Sequence, residues 1–204
     1  MKIGLIDLNT GNLASLESAM RKLDISFKIC KNSFDFDNVE KIILPGVGAF
    51  KDFMDKIKKG SIDKIIRDKY EKKIPILGIC VGFQVLFSNS SEHGLSDGLG
   101  ILEGSIINFQ EVDKSIPIPH VGWNDCKIQS ENNLFHKIED KSDFYFTHSY
   151  FLDNCEENNI ISKTNYHFDF VSSVNYKNIY GVQFHPEKSQ LNGLKIIKNF
   201  CERC

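Results

Sequence analysis

The sequence predicts a single three-layer α/β domain with a mostly parallel central sheet. Three observations predict it. In the first half, short apolar runs alternate with longer stretches whose apolar residues recur at helical spacing, the pattern of a parallel sheet covered on both faces. The turns after these runs, at residues 9–12, 45–50 and at Cys80, all fall at carboxyl ends of strands, the edge where open α/β sheets build their sites. No internal repeat, linker or low-complexity tract divides the chain, so one domain over residues 1–204 is expected.

Taken in order, residues 2–8 read as a first strand, and Asn9-Thr10-Gly11-Asn12 as a polar turn. Leu13, Leu16, Ala19, Met20 and Leu23 then keep helical spacing. Residues 27–30 read as a second strand and 39–44 as a third, which ends in Pro45-Gly46-Val47-Gly48-Ala49-Phe50. Phe53, Ile57, Ile62, Ile65 and Ile66 suggest one or two amphipathic helices. Residues 74–79 form an apolar strand and 81–87 the helix after it. Residues 88–100 are polar and glycine-bearing, hence a loop. Short strands follow at 105–109, 125–128, 144–147, 160–164 and 170–176. A last apolar strand, 179–184, runs into His185-Pro186-Glu187, and a closing helix near 190–201 buries Leu191, Leu194, Ile196, Ile197 and Phe200.

The chemistry centres on Gly78-Ile79-Cys80-Val81-Gly82, a cysteine version of the Gly-x-Ser-x-Gly nucleophile elbow. A strand that turns sharply into a helix strains its central residue and leaves no room for side chains two positions away, so Gly78 and Gly82 fit. The Cys80 sulfur then sits at a helix N-terminus, where partial positive charge favours the thiolate. The alternative is a buried structural cysteine. A nucleophile needs a base and the base an orienting group; His185 and Glu187 supply both types, and Pro186 stiffens the turn between them. Alone, His185 also reads as a histidine at a strand end. An oxyanion needs donors: the Val81 N–H is one, and Gly46-Val47-Gly48 brings backbone close to a ligand. Those glycines also suit a phosphate cradle, but neither Gly-x-Gly-x-x-Gly nor the P-loop Lys-Ser/Thr pair is present. Gln84, one turn past Cys80, faces either a polar substrate or solvent.

Composition narrows the partners. A formal net charge of -2 gives no electrostatic reason to expect nucleic acid or an anionic membrane. The chain begins directly as a strand, with no signal peptide or long apolar span, which suggests the cytoplasm. There the six cysteines should stay reduced. Cys201 and Cys204 have Cys-x-x-Cys spacing, but they lie away from any βα turn and lack a second ligand pair. No metal and no cofactor are expected.

Five blocks carry a resemblance: residues 45–50 (Pro-Gly-Val-Gly-Ala-Phe), 77–84 (Leu-Gly-Ile-Cys-Val-Gly-Phe-Gln), 119–124 (Pro-His-Val-Gly-Trp-Asn), 145–150 (Tyr-Phe-Thr-His-Ser-Tyr) and 181–189 (Gly-Val-Gln-Phe-His-Pro-Glu-Lys-Ser). In this order, and over essentially the whole chain, they resemble the class I, triad-type glutamine amidotransferases of flavodoxin-like fold. The first and third point within that class to the HisH-type subunit of imidazole glycerol phosphate synthase. Val81 and Phe83 stand where Leu and Met are usual, both apolar exchanges, and residues 114–118 also depart from the pattern.

The resemblance implies hydrolysis of glutamine to glutamate and ammonia by a Cys80–His185–Glu187 triad, through a thioester. It places Gly46, Val47, Gly48, Val81, Gln84, Ser149 and Tyr150 around the oxyanion and the glutamine. It places Asn12, Trp123, Tyr145 and Lys188 near a partner interface or ammonia gate. The ammonia would pass to a separate (β/α)8-barrel synthase of the HisF type, in a 1:1 heterodimer, for histidine biosynthesis; the chain has no room for that barrel itself. Similar paralogues supply ammonia for nucleotide-sugar amidation in surface-glycan synthesis. A stand-alone cysteine hydrolase and a non-catalytic binding subunit are the readings from other classes.

Overall fold

The computed structural model describes residues 2–9 and 13–204. Its strands are β1 (Ile3–Ile6), β2 (Phe27–Cys30), β3 (Lys41–Gly46), β4 (Ile76–Cys80), β5 (Asn89–Ser90), β6 (Ser96–Asp97), β7 (Ser105–Asn108), β8 (His120–Ile128), β9 (Ser142–His148), β10 (Tyr150–Asp153), β11 (Ile160–Tyr166), β12 (Phe168–Tyr176) and β13 (Ile179–Val182). The helices are α1 (Leu13–Lys22), α2 (Phe50–Lys59), α3 (Ile62–Glu71), α4 (Val81–Gln84), α5 (Phe109–Val112) and α6 (Gln190–Arg203).

Five strands in the order β2-β1-β3-β4-β13 run parallel and make the centre of the sheet. Every residue of β1, β3, β4 and β13 is buried, which requires both faces of the sheet to be covered. From β1 the chain winds one way to β2, and from β3 the other way to β4. Right-handed crossovers therefore put α1 and the α2–α3 pair on opposite faces, which gives the three layers expected. Phe50, Phe53, Met54 and Ile57 form the buried stripe of α2, while its lysines face out. Ile196, Ile197 and Phe200 do the same for α6, which packs against α1.

Beyond β13 the sheet continues antiparallel through β12, β10 and β7, while β11, β8 and β9 branch from β12. This branch carries β9 and β8 back beside the carboxyl end of β13, where His185 N–H bonds the Tyr145 carbonyl at 2.9 Å.

The elements differ from the sequence expectation at several ends. The third strand lies two residues later than 39–44, since Pro45 and Gly46 stay paired with Ile79 and Cys80. β1 has already ended there, so the missing N–H of Pro45 breaks no ladder. The helix expected over 81–87 stops at Gln84. Leu86 and Phe87 close tighter three-residue turns, and the carbonyls of Val85, Leu86 and Phe87 accept from backbone N–H groups of residues 99–102. The expected loop 88–100 holds the small β5–β6 ladder. Strand β10 and the single turn α5 were not expected. Leu191, expected on the buried face of α6, is exposed.

Candidate active site

Cys80 ends β4 with φ 53° and ψ −113°, a left-handed conformation that a side-chain-bearing residue adopts only under constraint. The neighbours impose it. A Cβ on Gly78 would lie 2.6 Å from the Gly82 carbonyl oxygen, and one on Gly82 only 1.9 Å from that of Leu44 on β3. The chain turns so tightly that it presses on its own strand and on the next one. The helix that follows has four residues and little dipole; beside the sulfur lies an imidazole.

That imidazole belongs to His185, three residues past β13. Val182 pairs with Ile79, one residue before the cysteine, so the chain leaving β13 emerges beside the elbow. Pro186–Lys188 form a 3-10 turn, which swings Glu187 back until its Oε1 accepts from His185 Nδ1 at 2.8 Å. Both side chains are 1% exposed. Ser189 locks the turn: its Oγ donates to the His185 carbonyl at 2.6 Å and accepts from Tyr145 N–H at 2.9 Å. With Nδ1 on Glu187, the ring turns its other side to the Cys80 sulfur. Burial alone would strip His185 of its proton. The charge and hydrogen bond of Cys80, then those of Glu187, overcome it and raise the imidazole from 6.5 to about 10. The imidazole is held protonated at neutral pH.

A cavity of about 300 Å³ opens over the sulfur, lined by Val47, Gly48, Cys80, Val81, Gln84, Glu92, Pro119, Thr147, His148, Ser149, Tyr150 and His185. It gathers six of the seven residues expected around oxyanion and ligand. Gly46 differs: a Cβ there would meet Gly82 N at 2.3 Å, so this glycine packs under the elbow and leaves the lining to Val47 and Gly48. Gln84 is buried, not solvated. Its NH2 donates to the Tyr150 carbonyl at 3.1 Å and to Gln183 Oε1 at 3.0 Å, which leaves its own oxygen for a ligand.

Five polar or shaping residues escaped the sequence reading. Glu92, from the turn between β5 and β6, lines the cavity and accepts from Phe50 N–H at 2.6 Å. Pro119, Thr147 and His148 complete the wall. Gln183 lies beneath it, with Nε2 3.8 Å from Cys80 Sγ; its position two residues before His185 on extended chain is the signal that would have found it. Behind the wall His148 Nδ1 meets the Tyr150 carbonyl at 2.8 Å, His148 Nε2 meets His120 Nδ1 at 3.0 Å, and His120 Nε2 meets Asn124 Nδ2 at 3.2 Å. The carbonyl accepts only, so each ring carries its proton on Nδ1 and the chain runs one way from Asn124 to Tyr150. Burial keeps both rings neutral, lowering His148 to about 3 and His120 to about 4.

Trp123 and Tyr145 are paired across β8 and β9, with ring centroids 6.1 Å apart, and Lys188 Nζ lies 5.7 Å from the Tyr145 ring. This cluster lies outside the cavity, and Trp123 is 48% exposed. Asn12 falls outside the described residues. Among the described residues no cluster suits a metal ion and no helix is long and apolar enough to cross a membrane. All six cysteines are free thiols, and burial raises Cys201 to about 12 and Cys204 to about 11.

The strained cysteine, the buried His–Glu pair and the cavity above them lie within a chain that belongs to the glutamine amidotransferase class-I family, whose model matches residues 4–204. Within that family it is similar to proteins named imidazole glycerol phosphate synthase subunit HisH. The one from Leptospira borgpetersenii is 42% identical, over 97% of this chain and 98% of its own. The one from Methanocaldococcus jannaschii is 45% identical, over 98% of each. Among solved structures, the Thermotoga maritima PurLQS structure superposes with a TM-score of 0.77 at 18% identity, covering 98% of this chain and 97% of the other, a likeness of fold.

Proposed function

We propose that this chain is the glutaminase subunit of an imidazole glycerol phosphate synthase, hydrolysing glutamine and passing the ammonia to a separate (β/α)8-barrel subunit. The near-full-length identity to HisH proteins supports the pathway and favours it over nucleotide-sugar amidation. The observation that carries the chemistry is the strained Cys80 beside the His185–Glu187 pair.

In this reading Cys80 Sγ, as thiolate, attacks the side-chain amide carbon of glutamine. The oxyanion takes the Val81 N–H, which as the first of a helix has no partner within it, and backbone N–H from the 47–48 loop across the cavity. His185 gives its proton to the departing ammonia; Glu187 keeps the ring oriented and offsets its charge. A water, deprotonated by His185, then attacks the thioester, and glutamate leaves as the thiolate returns. Glu92 suits the substrate's ammonium group, and Gln84 Oε1, Ser149 and Tyr150 its other polar ends. The exposed Trp123, with Tyr145 and Lys188, forms the proposed docking face for a 1:1 complex in the cytoplasm, from which ammonia enters the barrel.

Cys80→Ala tests the reading. In the complex with its barrel partner it should abolish glutamine-dependent synthesis and leave synthesis from added ammonia intact. Retention of glutamine-dependent synthesis, or equal loss of both, would overturn it.

A further inference from the structure

Gln183 is fully buried and sits where the chain leaving β13 passes under the elbow. Its two polar ends have different partners: Oε1 lies 3.0 Å from Gln84 Nε2, and Nε2 lies 3.8 Å from Cys80 Sγ. Which end faces the sulfur follows from the neighbours. The Tyr150 carbonyl only accepts, so the Gln84 atom 3.1 Å from it must be the NH2. That NH2 also faces Gln183, which must answer with its oxygen. The Gln183 NH2 is thereby turned to the sulfur. The Tyr150 carbonyl is itself held by His148 at the end of the one-way chain from Asn124 and His120. The backbone of Gln183 is pinned as well, its N–H bonding the Ser172 carbonyl at 2.9 Å.

We infer that Gln183 is a further catalytic residue, whose side-chain amide donates a hydrogen bond to the Cys80 sulfur and holds it in the anionic state. The inference rests on the reading of Cys80 as the nucleophile. The sulfur carries negative charge at two points: as the resting thiolate, before attack passes that charge to the oxyanion, and at the release of glutamate, when the carbon–sulfur bond breaks and its electron pair returns to sulfur. In both, the Gln183 NH2 lies beside that charge, its nitrogen 3.8 Å from the sulfur. His185 is committed to moving protons to ammonia and from water, so a donor that never titrates has a distinct task. Removing a hydrogen bond to a charged group in a buried site costs a factor of roughly 10 to 100.

The test compares Gln183→Glu with Gln183→Met in the full-length chain. The glutamate variant keeps an oxygen for Gln84 but replaces the donor with an acceptor; the methionine variant keeps the volume and loses both. The rate of alkylation of Cys80 by iodoacetamide, followed by mass of its peptide from pH 5 to 10, reports the thiolate directly. The expected result is a shift of that profile to higher pH in both variants, larger for Gln183→Glu, with glutaminase kcat in the partner complex falling roughly 10- to 100-fold and KM changing less than threefold. Profiles that coincide with the parent, even with a lowered melting temperature, would overturn the inference and reduce Gln183 to packing. Activity in Cys80→Ala would instead remove the nucleophile on which it rests, and the inference with it.

Discussion

Replacement of Glu187 by glutamine removes a charge and almost nothing else. The carboxylate Oε1 accepts from His185 Nδ1 at 2.8 Å, and both side chains are 1% exposed. The amide oxygen of the variant can accept the same hydrogen bond, so the ring keeps its orientation and only the charge-assisted part is lost. Such bonds contribute about 1.5–3 kcal/mol. At about 1.36 kcal/mol per decade, that predicts a fall in kcat/KM of roughly 10- to 150-fold. The pH profile should move too. His185 is raised to about 10 by Cys80 and Glu187 against the opposing effect of burial. Its protonated form is therefore complete below the ordinary value of 6.5, and its contribution to stability is lost as pH rises toward about 10. Without Glu187 the alkaline limb of activity, and the alkaline loss of stability, should both begin at lower pH. The assay is glutamate release by the partner complex from pH 6 to 10, beside thermal melts over the same range. A kcat/KM within threefold of the parent, with an unmoved alkaline limb, would refute the assignment of Glu187 as the charge behind the imidazole.

Gly82→Ala would set a Cβ 1.9 Å from the Leu44 carbonyl oxygen, part of a buried strand that cannot retreat; urea melts should show a loss of about 3 kcal/mol or more, and an unchanged midpoint would mean the elbow is looser than described. His120 and His148 are lowered by burial to about 4 and about 3, so the unfolded chain binds their protons first as pH falls below 6.5. Stability should therefore drop between pH 6.5 and 4, by about 1.4 kcal/mol per pH unit for each neutral ring, and a double replacement by asparagine should flatten that slope. Trp123 is the single tryptophan of the chain and is 48% exposed, so docking of the barrel subunit should shift its emission to the blue; an unchanged spectrum on complex formation would move the interface elsewhere.

Several features were legible along the chain because their causes are local. The elbow is spelled by two glycines flanking a cysteine; the steric reason for Gly78 acts within five residues, while that for Gly82 comes also from Leu44 on the next strand. His185 and Glu187 are two positions apart with proline between, so one short turn joins them. The central strands stand out because burial on both faces demands unbroken apolar runs. Their ends were less legible: Pro45 and Gly46 look like breakers, yet they remain in β3 because the neighbouring β1 is already over. The helix after Cys80 looked seven residues long, yet the carbonyls of residues 85–87 accept from the backbone of residues 99–102.

The sequence by itself determined the fold class and singled out Cys80, His185 and Glu187, since the elbow and the His-Pro-Glu turn are written in spacing that the local backbone follows. Only the tertiary structure decided what surrounds them. Glu92 and His148 reach the cavity from a turn and a separate strand, Gly46 moved from the ligand to the underside of the elbow, and the single direction of the Asn124–His120–His148 chain depends on one carbonyl at its far end. Those arrangements arise from sheet register and from burial that joins residues far apart in sequence, and neither leaves a periodic trace along the chain.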